Sequence, residues 1–241
     1  MLLVVFVWSQ TVYSYVAAAV TDRDARSVQA AGQFDEAERR FRQAIDLAPD
    51  APAHRINLGQ LFFARGTQAT EARENKVNWL QRATVLVEGI IDRNPLDQRA
   101  WSRLSEYERE LAVLVPTVQA QALHSNLLLV ELMPGFWQAR TGLAWAYIRL
   151  GRHEDALRVV QEAKDVRVLE SSGANLIYYI QAWALEGLGR IEEAKAAAHC
   201  SLAYQVTQQA IDLLERNGET VGDKYDFTEA DYEVCPEKRP V

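Results

Sequence analysis

Three hexapeptides of one design punctuate the chain: GQFDEA at residues 32–37, GRHEDA at 151–156 and GRIEEA at 189–194. Each places a glycine, which ends a helix readily, just before acidic residues, which favour the start of the next helix through its macrodipole. In the first copy Asp35 is the expected N-cap, its carboxylate accepting from the orphan N–H groups of the first turn. Ala37, Phe41, Ala44 and Ile45 then fall at steps of four and three, on one helical face, and Pro49 stops the helix. The stretch from Pro52 to Gly66 supplies a partner helix, with Leu58, Gly59 and Phe62 facing inward and Gly59 allowing close approach. Helical spacing of apolar residues recurs throughout and strand-like alternation is hard to find, so the chain reads as all-α.

The fullest copy of the pattern runs from Trp137 to Lys164. Leu143, Ala144 and Tyr147 fill the stripe of its first helix, Gly151 makes the turn, and Ala156, Val160 and Ala163 fill the second stripe. Two looser copies lie between. One carries an insertion, TQATEARENKVN at 67–78, expected to lengthen a loop or extend a helix; the next, from Arg99 to Pro134, has Trp101 and Leu104 but is interrupted by Pro116. After Gly189 the pattern runs on without proline, which predicts one long terminal helix that caps the stack and stops at Asn217-Gly218.

A helix, a glycine-led turn, a second helix and a closing proline, repeated in this way, resemble the tetratricopeptide repeat. The resemblance implies a right-handed helical solenoid over residues 21–217, about five helix pairs with the first incomplete, followed by an acidic tail at 218–241 whose Tyr225, Phe227 and Tyr232 are candidates to lie on the stack. It also implies a concave surface, lined by the first helix of each pair, that binds a protein or peptide. The stripe beside the packing positions gives Asn57, Gln60 and Phe63; Arg99, Arg103 and Glu106; Thr141, Trp145 and Arg149; and Tyr179, Trp183 and Glu186. Arginine and aromatic residues are what interfaces enrich, although Trp145 and Trp183 are also placed to pack between repeats. Members of the family that grip a terminal carboxylate use a lysine where this chain has Ile56, Ser102, Thr141 and Tyr179, so that mode of binding is not expected.

Nothing in the sequence points to catalysis. The four histidines, His54, His124, His153 and His199, share no motif, and His153, beside Glu154 and Asp155, reads as a surface residue. No zinc-protease, hydrolase or phosphate-loop motif occurs, and neither a cofactor nor a metal site is expected. A net charge of −7 with interleaved basic residues argues against nucleic acid as a partner. The two cysteines, Cys200 and Cys235, leave one disulfide open, which would require an oxidising compartment.

The segment Leu2–Val20 carries no charge and is close to the ~20 residues that span a bilayer. A cleaved signal would normally begin with a basic region, which is missing, although Ala17 and Ala19 offer a cleavage site. A soluble first helix would need burial all round. We therefore expect residues 1–20 to form a transmembrane anchor, continuous with the first repeat helix, in a bacterial inner membrane. The arginines that follow it favour a cytoplasmic repeat domain. The expected role is that of a membrane-anchored, non-enzymatic scaffold. The alternative is an accessory module of a membrane enzyme, since an apolar helix followed by such repeats is similar in layout to the C-terminal region of bacterial O-antigen ligase or polymerase-like proteins.

Overall fold

The computed structural model describes the backbone of residues 2–68, 70–166, 171–221 and Cys235, and the side chains of all of these but 2–10, 171 and 172. Among the described residues the regular structure is entirely helical. The chain divides into two compact units, residues 1–118 and 119–241.

The first unit holds α1 (Leu2–Ala30), α2 (Phe34–Leu47), α3 (Pro52–Gly66), α4 (Arg73–Ile91), α5 (Gln98–Leu114) and a 3-10 turn at Pro116–Val118. Each helix packs on its neighbours in sequence: α2 on α1, α3 on α2 and α4, α4 on α5. α1 is one continuous helix of 29 residues, about 43 Å long at the usual rise. Its turn into α2 is set by Gly32, whose φ of +77° is the left-handed conformation that a side chain disfavours. The Gln33 N–H then reaches back to the Val28 carbonyl at 3.1 Å, the six-residue Schellman closure. Because Gln33 is already fixed by this bond, α2 starts at once, with Gln33 in the cap position and no side-chain cap. Asp35 is therefore not the N-cap expected from the sequence. It lies inside the first turn, where its carboxylate accepts from Arg65 Nη1 at 2.9 Å.

A second repeated device was not expected. At Pro49, Pro95 and Pro134, which follow α2, α4 and the helix ending at Leu132, the proline carbonyl accepts from a side chain six residues on. Trp101 Nε1 donates to the Pro95 carbonyl at 2.8 Å, and Arg55 donates to that of Pro49, joined there by Arg93 at 3.3 Å. In the second unit Arg140 donates to Pro134 in the same way. The insertion resolves into both expected forms: a short loop beginning at Thr67, then the lengthened N-terminus of the 19-residue α4. The core of this unit alternates small and large residues. Ala37, Ala83 and Ala100 sit among Phe41, Leu58, Leu61, Phe62, Val87 and Tyr107. Gly59 is a point of close approach, since a Cβ there would stand 3.3 Å from the Tyr107 ring and hydroxyl.

The second unit holds α6 (Gln119–Leu132), α7 (Trp137–Arg149), α8 (His153–Asp165), α9 (Ser171–Gly187), α10 (Ile191–Tyr204) and α11 (Gln208–Arg216). Gly151 and Gly189, at φ +70° and +72°, repeat the turn of Gly32, with Arg152 closing on Tyr147 and Arg190 on Leu185. Leu143, Ala144 and Tyr147 meet Ala156, Val160 and Ala163, the stripes read from the sequence, together with Ile177 and Ile180. His153 is not the surface residue expected. It is half-buried at the start of α8 with its ring against Gly187, where any side chain would collide with it.

The single terminal helix is also corrected: it is two helices, α10 and α11, broken at residues 205–207. The break is held by buried Asn175 of α9. Its Nδ2 donates to the Ser201 carbonyl and the Gln205 carbonyl, each at 2.9 Å, so the last turn of α10 finds its partners outside a continuing helix. α11 then lays Ala210, Leu213 and Leu214 on the core formed by Leu185, Ala194, Ala198 and Leu202, and Gly218 at φ +81° ends it. Cys200 on α10 is bonded to Cys235, with a Cα–Cα distance of 5.5 Å. Tyr225, Phe227 and Tyr232 lie outside the described residues.

Candidate protein-interaction surface

In the first unit the candidate surface grows from α1, α3 and α5. Asn57 and Gln60 lie one helical turn apart on α3, and both are half-buried. Asn57 does not project freely: its Nδ2 donates to both oxygens of Asp22 at 2.9 and 3.0 Å. Asp22 is itself buried. It accepts from His54 Nδ1 at 2.9 Å and pairs with Arg26 of its own helix at 3.2 Å. One buried carboxylate thus ties α1 to α3 through two donors of α3, His54 and Asn57, with Arg26 of its own helix as a third partner, which is how a buried charge is made tolerable.

Beside this hub, Arg26, Gln29, Ala30, Phe34, Phe41, Asn57, Gln60 and Ala64 line an open groove of about 490 Å³. Its floor is apolar and its rim carries amides and one guanidinium. Across α3 and α5, the Gln60 amide oxygen, turned to accept, lies 2.7 Å from Arg103 Nη2, and Arg103 also pairs with Glu106 at 2.7 Å. Phe63 stacks on Tyr107 with ring centroids 5.0 Å apart and packs against the core, so it is more structural than exposed. Burial pushes the Tyr107 hydroxyl well above its ordinary pKa. Arg99 is exposed.

In the second unit Trp145, Tyr179 and Trp183 form one aromatic cluster. Trp145 meets Trp183 edge-on at 4.9 Å, and Tyr179 lies 6.0 and 5.8 Å from the two indoles. All three rings are half-buried, packed on the core with one side open, so packing between repeats and exposure to a partner coexist. Arg149 is exposed beside them. Glu186 accepts from Arg216 at 2.6 and 2.7 Å and from Asn217 at 2.7 Å, binding α11 to α9. The Arg216 hydrogen bond holds the Glu186 carboxyl below the usual glutamate value, against the opposing pull of burial. Thr141 is buried and donates to the Gln138 carbonyl, so it lines no groove.

Sequence reasoning missed the Asp22 hub, because a lone aspartate followed by arginines reads as solvated charge. It also missed Trp79, whose ring is flanked by Arg65 at 3.9 Å and Arg82 at 4.5 Å, with Arg82 pairing with Glu38 at 2.5 Å. No group of residues able to hold a metal ion occurs among the described residues.

The pattern of the tetratricopeptide repeat matches residues 24–74, and a second tetratricopeptide-repeat pattern matches 137–162. Solved structures of similar fold include a thermophilic tetratricopeptide-repeat protein of Thermus thermophilus. It shares 18% identity over 83% of this chain and 96% of that one, at a TM-score of 0.59. MamA of strain MSR-1 shares 20% identity over 84% of this chain and 99% of that one, at 0.53. MamA from residue 41 to its end, of Desulfovibrio magneticus RS-1, shares 16% identity over 74% and 94%, at 0.52. At these identities the likeness is one of fold. A comparison with curated proteins gave no match. The chain carries tetratricopeptide repeats and has the all-helical fold of proteins built from them, a scaffold suited to protein–protein interaction.

Proposed function

We propose that the chain is a membrane-anchored scaffold that docks a partner protein or peptide through the first helices of its repeats. The observation that carries the docking reading is the arrangement on α3 and α5, and separately on α7 and α9. Amides, arginines and aromatic rings there are half-buried or exposed, where the core-facing residues beside them on the same helices are buried. Rigid half-exposed aromatics and arginines are the residues on which binding energy concentrates. Asn57, Gln60, Arg99, Arg103 and Glu106 are assigned to contacts in the first unit, and Trp145, Arg149, Tyr179 and Trp183 to contacts in the second, with Phe63 supporting the first set.

The anchor is supported by α1. Over its described part, Val12, Tyr13, Tyr15, Val16 and Val20 are all exposed, on more than one face of the helix. Side chains 2–10, half of the expected anchor, lie outside the described residues, and among the described residues no helix is long and apolar enough to cross a membrane.

The test is a photoreactive residue placed in the full chain at Gln60, at Trp145 and, as a control, at exposed Asp50. One protein joined at Gln60 or Trp145 and absent at Asp50, and released by Arg99→Glu or Arg149→Glu, is the expected result. Equal capture at all three positions, or none at the first two, overturns the docking reading. Extraction of the chain from membranes by alkaline carbonate overturns the anchor.

A further inference from the structure

The chain has two cysteines in 241 residues, and both are consumed in one bond. Cys200 is 2% exposed and Cys235 fully buried, against the stacked rings of Tyr178 and Tyr204, whose centroids lie 5.8 Å apart. The Lys164 ammonium covers Tyr178 at 4.0 Å. A disulfide sealed in this way is inaccessible to thiols in solution, unlike the exposed bonds that serve as redox switches. It joins α10 to a residue 35 positions further along the chain, beyond the last helix among the described residues. Structural bonds of this kind form and persist in oxidising compartments, and reducing ones keep thiols apart.

We infer that the repeat-bearing chain works in an oxidising, extracytoplasmic compartment, where a thiol–disulfide exchange protein joins Cys200 to Cys235. In the joining reaction one cysteine thiolate first attacks the disulfide of that protein and makes a mixed disulfide. The second thiolate then displaces it. Two S–H bonds are lost and one S–S bond is made in this chain, while the S–S bond of the exchange protein breaks; its two sulfurs take up the two electrons and, by way of solvent, the two protons, which leaves it as a dithiol. This places the repeats on the side opposite to that favoured by Arg23 and Arg26. The orientation signal of those two arginines is read from their place along the chain alone, and in the fold Arg26 is engaged with buried Asp22. The inference rests on the disulfide alone and holds whether the apolar start of α1 stays as an anchor or is removed.

The experiment takes cells producing the full chain, quenches them with acid, and denatures the protein in a maleimide–polyethylene glycol reagent with or without prior reduction. No addition before reduction and two additions after it are expected. Two additions without reduction overturn the inference. In a second arm, protease is added outside intact spheroplasts: digestion of the repeats is expected, and full protection overturns the proposed side.

Discussion

The residues that hold this fold together are few and of different kinds. Asp22 is the buried charge on which His54, Asn57 and Arg26 converge. Asp22→Ala leaves the His54 and Asn57 donors without their acceptor and is expected to cost about 3 kcal/mol in urea unfolding, the usual result of breaking a buried ionic network from one side. A loss below 0.5 kcal/mol, on the order of an ordinary surface substitution, would show that the hub is not structural. Tyr107 presents the opposite case. Its hydroxyl is buried beside Gly59 with no hydrogen-bond partner among the described residues. Tyr107→Phe removes a desolvated polar group and keeps the ring that stacks on Phe63, so equal or higher thermal stability is expected. Gly151 matters for its backbone alone: nothing lies within 4 Å of a Cβ there, yet its φ is +70°. Gly151→Ala is expected to cost about 1–2 kcal/mol, with Gly151→Asn costing less, both read from denaturant midpoints.

At the scale of elements, the end of α10 depends on a side chain from α9. Asn175→Ala removes the donor to the Ser201 and Gln205 carbonyls and is expected to raise amide exchange near the α10–α11 junction while the turn at Gly151 stays protected. Unchanged exchange there would mean that the break is set by residues 205–207 themselves. α11 is clamped to α9 by Glu186, whose depressed carboxyl makes the clamp sensitive to pH. A carboxyl with a lowered folded value contributes fully above the ordinary value of 4.5 and loses that contribution as pH falls through the lowered one. Melting between pH 7 and pH 3 should therefore fall more steeply in the native chain than in Glu186→Gln, whose amide does not titrate. Parallel curves would remove the clamp from the account of acid stability.

At the scale of the molecule, each unit builds its core from its own residues, with Phe41 central in the first and Ile180 in the second. Phe41→Ala is expected to cost about 3–5 kcal/mol, the range for emptying an aromatic core site. The loss of exchange protection should be concentrated in α1–α5; an equal loss in α7–α10 would show that the units unfold together. The sequence by itself determined the helical class, the order of the helices up to the terminal one, and their packing stripes, but not the break that divides the end of the chain into α10 and α11. Glycine at 32, 151 and 189, proline at 49, 95 and 134, and apolar residues at helical spacing are local signals, each acting within a turn or two of chain. It also marked Gly59 as a close approach. Tertiary structure alone decided what local signals do not encode. Asp22 became a hub because α3 brings His54 and Asn57 to it, α10 ended because Asn175 reaches it from another helix, and Trp145, Tyr179 and Trp183 became one cluster because α7 and α9 pack together. Cys200 found Cys235 for the same reason: pairing over 35 residues follows from where the folded chain puts the two sulfurs, a long-range fact that no short stretch of sequence contains.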